Sequence, residues 1–172
     1  MEQWDIYDSN RVRTGKIKAR GTRLQADEYH LVIHVCIINS DNQLLIQQRQ
    51  PFKSGWPNLW DVTVGGSALA GENSQVAAER ELMEEIGYEA DLSQKRPNFS
   101  INFNRGFDDF YILKAEVDLS KLTLQYEEVQ AVKWANREEI IQMIEEDIFI
   151  PYHLSVINMI FDMQHGYGSQ TR

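Results

Sequence analysis

The sequence predicts an α/β fold, a mixed sheet sandwiched between helices, and three observations predict it. The stretch from His30 to Ile38 is rich in β-branched residues and stops at the turn cluster Asn39-Ser40-Asp41-Asn42. A second extended stretch, from Trp60 to Val64, runs into Gly65-Gly66 and gives way to a helical pattern closed by Gly87. Two further helical patterns follow the last strand-like stretch and can cover the other side of the sheet.

At 172 residues the chain suits a single domain, and 42% hydrophobic with 25% charged residues is the composition of a globular protein with a buried core. We divide it into an N-terminal arm or hairpin over residues 1–25, a domain over residues 26–165 and a tail over residues 166–172 that should fray. Gly15 and Gly21 punctuate the arm, and Leu44-Leu45-Ile46 pairs with the strand before it. Residues 49–59 contain Pro51, Gly55 and Pro57 and read as a loop. A helix follows over residues 74–86, capped by Asn73 or Ser74. Phe99-Ser100-Ile101-Asn102-Phe103 and the stretch from Phe110 to Val117 flank Arg105-Gly106 as an antiparallel pair, and the stretch from Val129 to Trp134 is one more strand. Asn136-Arg137-Glu138-Glu139 opens a helix with a capping arrangement, and a last helix follows Pro151.

The net charge of −9, from 26 acidic against 17 basic residues, disfavours a nucleic-acid partner. It does not disfavour an anionic small molecule, because a divalent cation in a carboxylate cluster inverts the local field. The first five residues lack the basic flank and apolar run of a signal peptide, and no run approaches the ~20 apolar residues that cross a bilayer. A single cysteine, Cys36, excludes an internal disulfide. We therefore expect a cytoplasmic protein with a small-molecule partner and no membrane contact, and leave homodimerisation open.

The segment from Gly66 to Tyr88 carries the chemistry. On a helix Glu81, Glu84 and Glu85 stand at i, i+3 and i+4 and share a face, beside an apolar stripe of Ala78, Leu82 and Ile86. Acidic residues in a last turn oppose the helix dipole at about 0.3–1 kcal/mol each, and Arg80 alone cannot neutralise Glu79, Glu81, Glu84 and Glu85. A hard divalent cation can, whereas spacing alone fits a solvated helix face equally well.

The order of residues decides between them. Gly66, Glu72, Arg80, Glu81, Leu82, Glu84, Glu85 and Gly87 match in full the box of the Nudix hydrolase family, which this segment resembles. Only Tyr88 departs, aromatic where an aliphatic residue is usual. With its flanking strands the resemblance spans about residues 31–144. It implies a Nudix-type α/β/α sandwich and hydrolysis of a diphosphate linkage in a nucleoside diphosphate derivative or other organic diphosphate. It further implies magnesium, with manganese as the substitute, held by Glu81, Glu84 and Glu85 and by the backbone near Gly66, while Arg80 and Glu72 pair to fix loop and helix. Glu84 is our first choice of general base, with Asp108, Asp109, Glu127 and Glu128 as candidates outside the box. Arg49 and Lys53 can bind substrate phosphates, and Phe52, Trp56 and Trp60 can stack on a base or belong to the core.

A narrower likeness points to a branch that includes type 1 isopentenyl-diphosphate isomerases. It rests on Tyr29-His30-Leu31, on the run from Leu44 to Arg49, and on Lys53, Trp56-Pro57 and Trp60. Those enzymes use a cysteine just before the box and histidine metal ligands. Gly65 and Ser67 stand in those places here, His30 is at most a remnant ligand, and Cys36 lies in an apolar strand. Hydrolysis is thus expected over isomerisation, and also over a catalytically silent Nudix-like binding module, which would have no need of the box carboxylates.

Overall fold

The computed structural model describes residues 1–171; Arg172, the end of the tail expected to fray, lies outside the described residues. Among the described residues there are nine strands, three α-helices and a short 3-10 turn at Leu119–Lys121. A hairpin of β1 (Gln3–Tyr7) and β2 (Arg13–Ala19) leads into β3 (His30–Ile38), β4 (Leu44–Arg49), β5 (Trp60–Asp61) and β6 (Val64–Ser67). Then come α1 (Ser74–Ile86), β7 (Phe99–Phe103), β8 (Gly106–Lys114), β9 (Val129–Ala135), α2 (Arg137–Glu145) and α3 (Leu154–Asp162).

β3 to β9 form one seven-stranded mixed sheet. β3 runs parallel to β8 along its whole length and antiparallel to β6, whereas it meets β4 at a single pair, Ile38 with Leu44. The two strands therefore diverge from their tight turn. β4 takes β9 and β5 as its neighbours, so the sheet opens into a fork between β6 and β4. Thr63 sits in the fork, its hydroxyl accepting from Ile37 N at 2.9 Å and donating to Leu45 O at 2.5 Å.

The strand period of two builds both sides of the core. Leu31, Ile33, Val35 and Ile37 of β3 face Ala77, Ala78, Leu82 and Ile86 of α1. Cys36 and Ile38 face the opposite way, onto Ile140, Ile157, Ile160 and Phe161 of α2 and α3. This is the three-layer sandwich expected. Cys36 is fully buried, and burial pushes its thiol far up, so it is a packing residue.

Two details differ from the sequence reading. The extended stretch from Trp60 to Val64 is broken, because the Thr63 hydroxyl supplies the bonds that a continuous strand would make with backbone. Gly65 and Gly66 do not end the strand but lie inside β6, opposite His34 and Ile33. The hairpin rests on the box loop: Ala70 N donates to Gln3 O at 2.8 Å, Gly71 N to Asp5 Oδ2 at 2.8 Å, and Arg13 to Glu72 O. Arg11, at its tip, is paired with Asp109, which is completely buried and also accepts from Ser74 Oγ and Ser100 Oγ.

Candidate functional site

α1 is a well-defined helix. Asn73 caps its start by accepting from Val76 N at 2.9 Å, and Gly87 ends it at φ 66°, a left-handed conformation that glycine adopts without a Cβ penalty. Its last turn carries Glu84 and Glu85 with no basic residue, so the dipole opposes both carboxylates.

Arg80 is the hub that organises the box. Its Nε and Nη2 grip Glu72 at 2.7 and 3.0 Å, Nη1 reaches Glu81 and Glu84 at 3.0 Å each, and Nη2 also donates to Ser67 O at 3.1 Å. Glu72 in turn accepts from Leu69 N at 2.8 Å. Burial pushes the Glu72 carboxyl up, but the Arg80 guanidinium and the Leu69 amide together hold it below the usual range. Loop, strand and helix are thus tied at one guanidinium.

Glu81 and Glu85 lie inward. Glu81 rests against Gly66 so closely that a Cβ there would stand 2.1 Å from Glu81 Oε1; the glycine is required for this approach. Burial raises the Glu81 carboxyl to about 7, against the lowering effect of Arg80. Glu85 is pushed well above the ordinary range, by burial first and then by Glu81, and the one side chain bonded to it is neutral, Gln47 Nε2 at 2.6 Å. Glu84 points elsewhere: its side chain is 49% exposed and held by Arg80. Among the described residues no three histidine, cysteine, aspartate or glutamate side chains converge as a ready-made metal group. Two buried carboxylates short of positive charge, with Glu81 packed against the backbone at Gly66, nevertheless offer oxygen donors. That suits a small hard cation that keeps several waters.

Arg49 and Lys53 are not brought onto the glutamates. Arg49 donates to Gly55 O at 3.0 Å and lies 3.8 Å from Asp61, and Lys53 pairs with Glu128 at 2.5 Å on the rim. Phe52 and Trp56 are exposed, while Trp60 is half-buried under Lys133. Of the carboxylates outside the box, Asp109 is sealed in the Arg11 network. Asp108 projects to the other face, 3.3 Å from His34 Nε2. His34 is stacked on Phe110, and a Cβ on Gly65 would meet its Nδ1 at 2.8 Å. Sequence reasoning missed Gln47, His34 and the hairpin contacts. Gln47 stands 38 residues before Glu85, and no spacing rule joins them.

A model of the NUDIX domain matches residues 28–154. An uncharacterized Nudix hydrolase of Listeria monocytogenes is 49% identical over 166 residues, covering 96% of this chain and 97% of its own. An isopentenyl-diphosphate Delta-isomerase of Salmonella typhi is 31% identical over 123 residues, 67% of this chain and 66% of its own. A crystal structure from Deinococcus radiodurans shares the fold with a TM-score of 0.76 at 22% identity, covering 92% of this chain and 99% of that one.

Proposed function

The chain belongs to the Nudix family and is a Nudix-type hydrolase; on that premise we propose a magnesium-dependent enzyme that cleaves the diphosphate linkage of a nucleoside diphosphate derivative or other organic diphosphate. The observation that carries this reading is the buried pair Glu81 and Glu85, with Glu81 against Gly66: two carboxylates whose desolvation Arg80 and Gln47 offset only in part.

The cation would be magnesium, with manganese as a substitute, and Glu81, Glu84, Glu85 and the backbone at Gly66 would hold it. When bound it supplies charge neutralisation on the phosphate oxygens and lowers the cost of deprotonating water. The protein supplies the rest. Arg80, locked to Glu72 and Ser67 O, keeps Glu81 aimed inward. Glu84 accepts the proton of the attacking water as the new P–O bond forms and the bridging P–O bond breaks, leaving the electron pair on the departing phosphate. Arg49 and Lys53, which lie off the glutamates, bind outer phosphate oxygens only if their carbonyl and carboxylate partners are exchanged for substrate.

The likeness to an isomerase favours a second reading, but Gly65 argues against it. A cysteine there would have to displace the His34 ring from its stack on Phe110. The buried pair likewise argues against a silent module, since burying two carboxyl groups with so little compensation is costly unless something binds them. Among the described residues no helix is long and apolar enough to cross a membrane, and the acidic surface suits a small-molecule partner.

The test is a screen of nucleotide sugars, dinucleoside polyphosphates, nucleoside triphosphates and prenyl diphosphates with magnesium, using wild type, Glu81→Gln and Glu84→Gln. We expect cleavage by wild type and a loss of at least about 100-fold in kcat/KM in either variant. No cleavage of any diphosphate, or variants as fast as wild type, would refute the hydrolase mechanism. Interconversion of isopentenyl diphosphate isomers would establish the second reading.

A further inference from the structure

The turn that carries Glu72 is held from outside the box. Glu72 N donates to Leu69 O at 3.0 Å and Gly71 stands at φ 89°, the geometry of a turn whose third residue must be left-handed. Leu69 N donates to the Glu72 carboxylate at 2.8 Å, which closes the turn from within. The two central amides have no partner inside such a turn, and both go to the N-terminal hairpin. Ala70 N donates to Gln3 O and Gly71 N to Asp5 Oδ2, each at 2.8 Å. Arg13 holds the other side of the turn, donating to Glu72 O while its Nε lies 3.4 Å from the same Asp5 oxygen.

The hairpin is a firm support for these bonds. Tyr7 and Tyr29 exchange two backbone bonds at 2.8 and 3.0 Å, Arg11 is paired with the buried Asp109, and Lys18 reaches the buried Glu28 at 2.5 Å. From Glu72 the constraint runs inward. Its carboxylate grips Arg80 at 2.7 and 3.0 Å, and Arg80 reaches Glu81 and Glu84 at 3.0 Å each. A turn free to swing would carry Glu72 with it and loosen the guanidinium that aims Glu81.

We propose that Asp5 and Arg13 are positioning residues of the active site: they fix the box turn, and through Glu72 and Arg80 they fix the direction of Glu81. This rests on the reading above that Glu81 and Glu85 hold the cation. Asp5 gives Gly71 N a charge-assisted bond, stronger than one to water or to a neutral oxygen. Both residues act through geometry, so removing either loosens the site although their charges are opposite.

The test titrates manganese into the full chain, followed by electron paramagnetic resonance, and follows exchange of the Arg80 Nε proton by nuclear magnetic resonance. Asp5→Ala and Arg13→Ala should each weaken manganese about tenfold and speed that exchange at least about tenfold. Asp5→Asn, which keeps an oxygen for Gly71 N, should restore most of both. Removal of a positive charge would by electrostatics alone tighten a cation, so weakening in Arg13→Ala separates positioning from charge. Lys18→Ala breaks a hairpin anchor that does not touch the turn; it should lower the melting temperature and leave both readouts as in wild type. Wild-type-like affinity in Asp5→Ala or tighter binding in Arg13→Ala overturns the assignment, as does weakening by Lys18→Ala as large as theirs, the result of a merely structural hairpin. Wild type that binds no manganese overturns the proposed function along with it, whereas wild type that binds it with both alanine variants unaltered overturns the positioning role alone.

Discussion

Gly66 and Glu81 show how a single missing Cβ shapes the site. The carboxylate occupies space that any side chain at position 66 would take, 2.1 Å from where its Cβ would be. Gly66→Ala should fold, because β6 needs no special backbone angle there, but should lose about 10–100-fold in manganese affinity, measured by paramagnetic resonance. Glu81 also sets a pH signature. Its carboxyl is raised from 4.5 to about 7 on folding, so the protonated form is favoured in the folded state. The stability this contributes is complete below about pH 4.5 and disappears as pH rises towards 7. In EDTA, melting temperatures of wild type should therefore fall relative to Glu81→Gln across that window, and the two curves should run parallel above it. Magnesium affinity should rise over the same window, since the proton must leave first. Helix spacing made the grouping of Glu81, Glu84 and Glu85 on one side of α1 legible, while their role as ligands is what the resemblance implies. Their division of labour was not legible, because the turn of Glu84 onto Arg80 and the approach of Gln47 to Glu85 depend on tertiary packing.

At the scale of elements, periodicity carried most of the architecture. The alternation in β3 is covered on both sides over its second half, and the caps Asn73 and Asn136 stand where the helix starts were read; Asn136 forms a full capping box with Glu139. The break between β5 and β6 was not legible, because it depends on the Thr63 hydroxyl replacing ladder bonds across a fork that sequence does not reveal. Nor was the attachment of the hairpin. Asp109, a candidate base on the sequence, is instead the buried anchor for Arg11. Arg11→Ala leaves that charge with only the two serine hydroxyls, and we expect a loss of about 3 kcal/mol in urea unfolding. Asp109→Asn with Arg11→Ala should cost less than the sum of the single changes, because the charge that needs a partner is gone.

At the scale of the whole molecule, the single β3–β4 pair at Ile38 and Leu44 makes the sheet divide, with β6 and α1 on one side of the fork and β4 on the other. A chain with net charge −9 buries Glu81 and Glu85 one turn apart on α1. Such a site is poised for a cation and unfavourable without one. The measurement that tests this most directly is manganese titration of wild type, Glu81→Gln and Glu85→Gln at pH 7.5, followed by paramagnetic resonance. The account expects saturable binding by wild type, weakened at least about tenfold in each variant. Binding of equal strength in all three, or none in wild type, would contradict it.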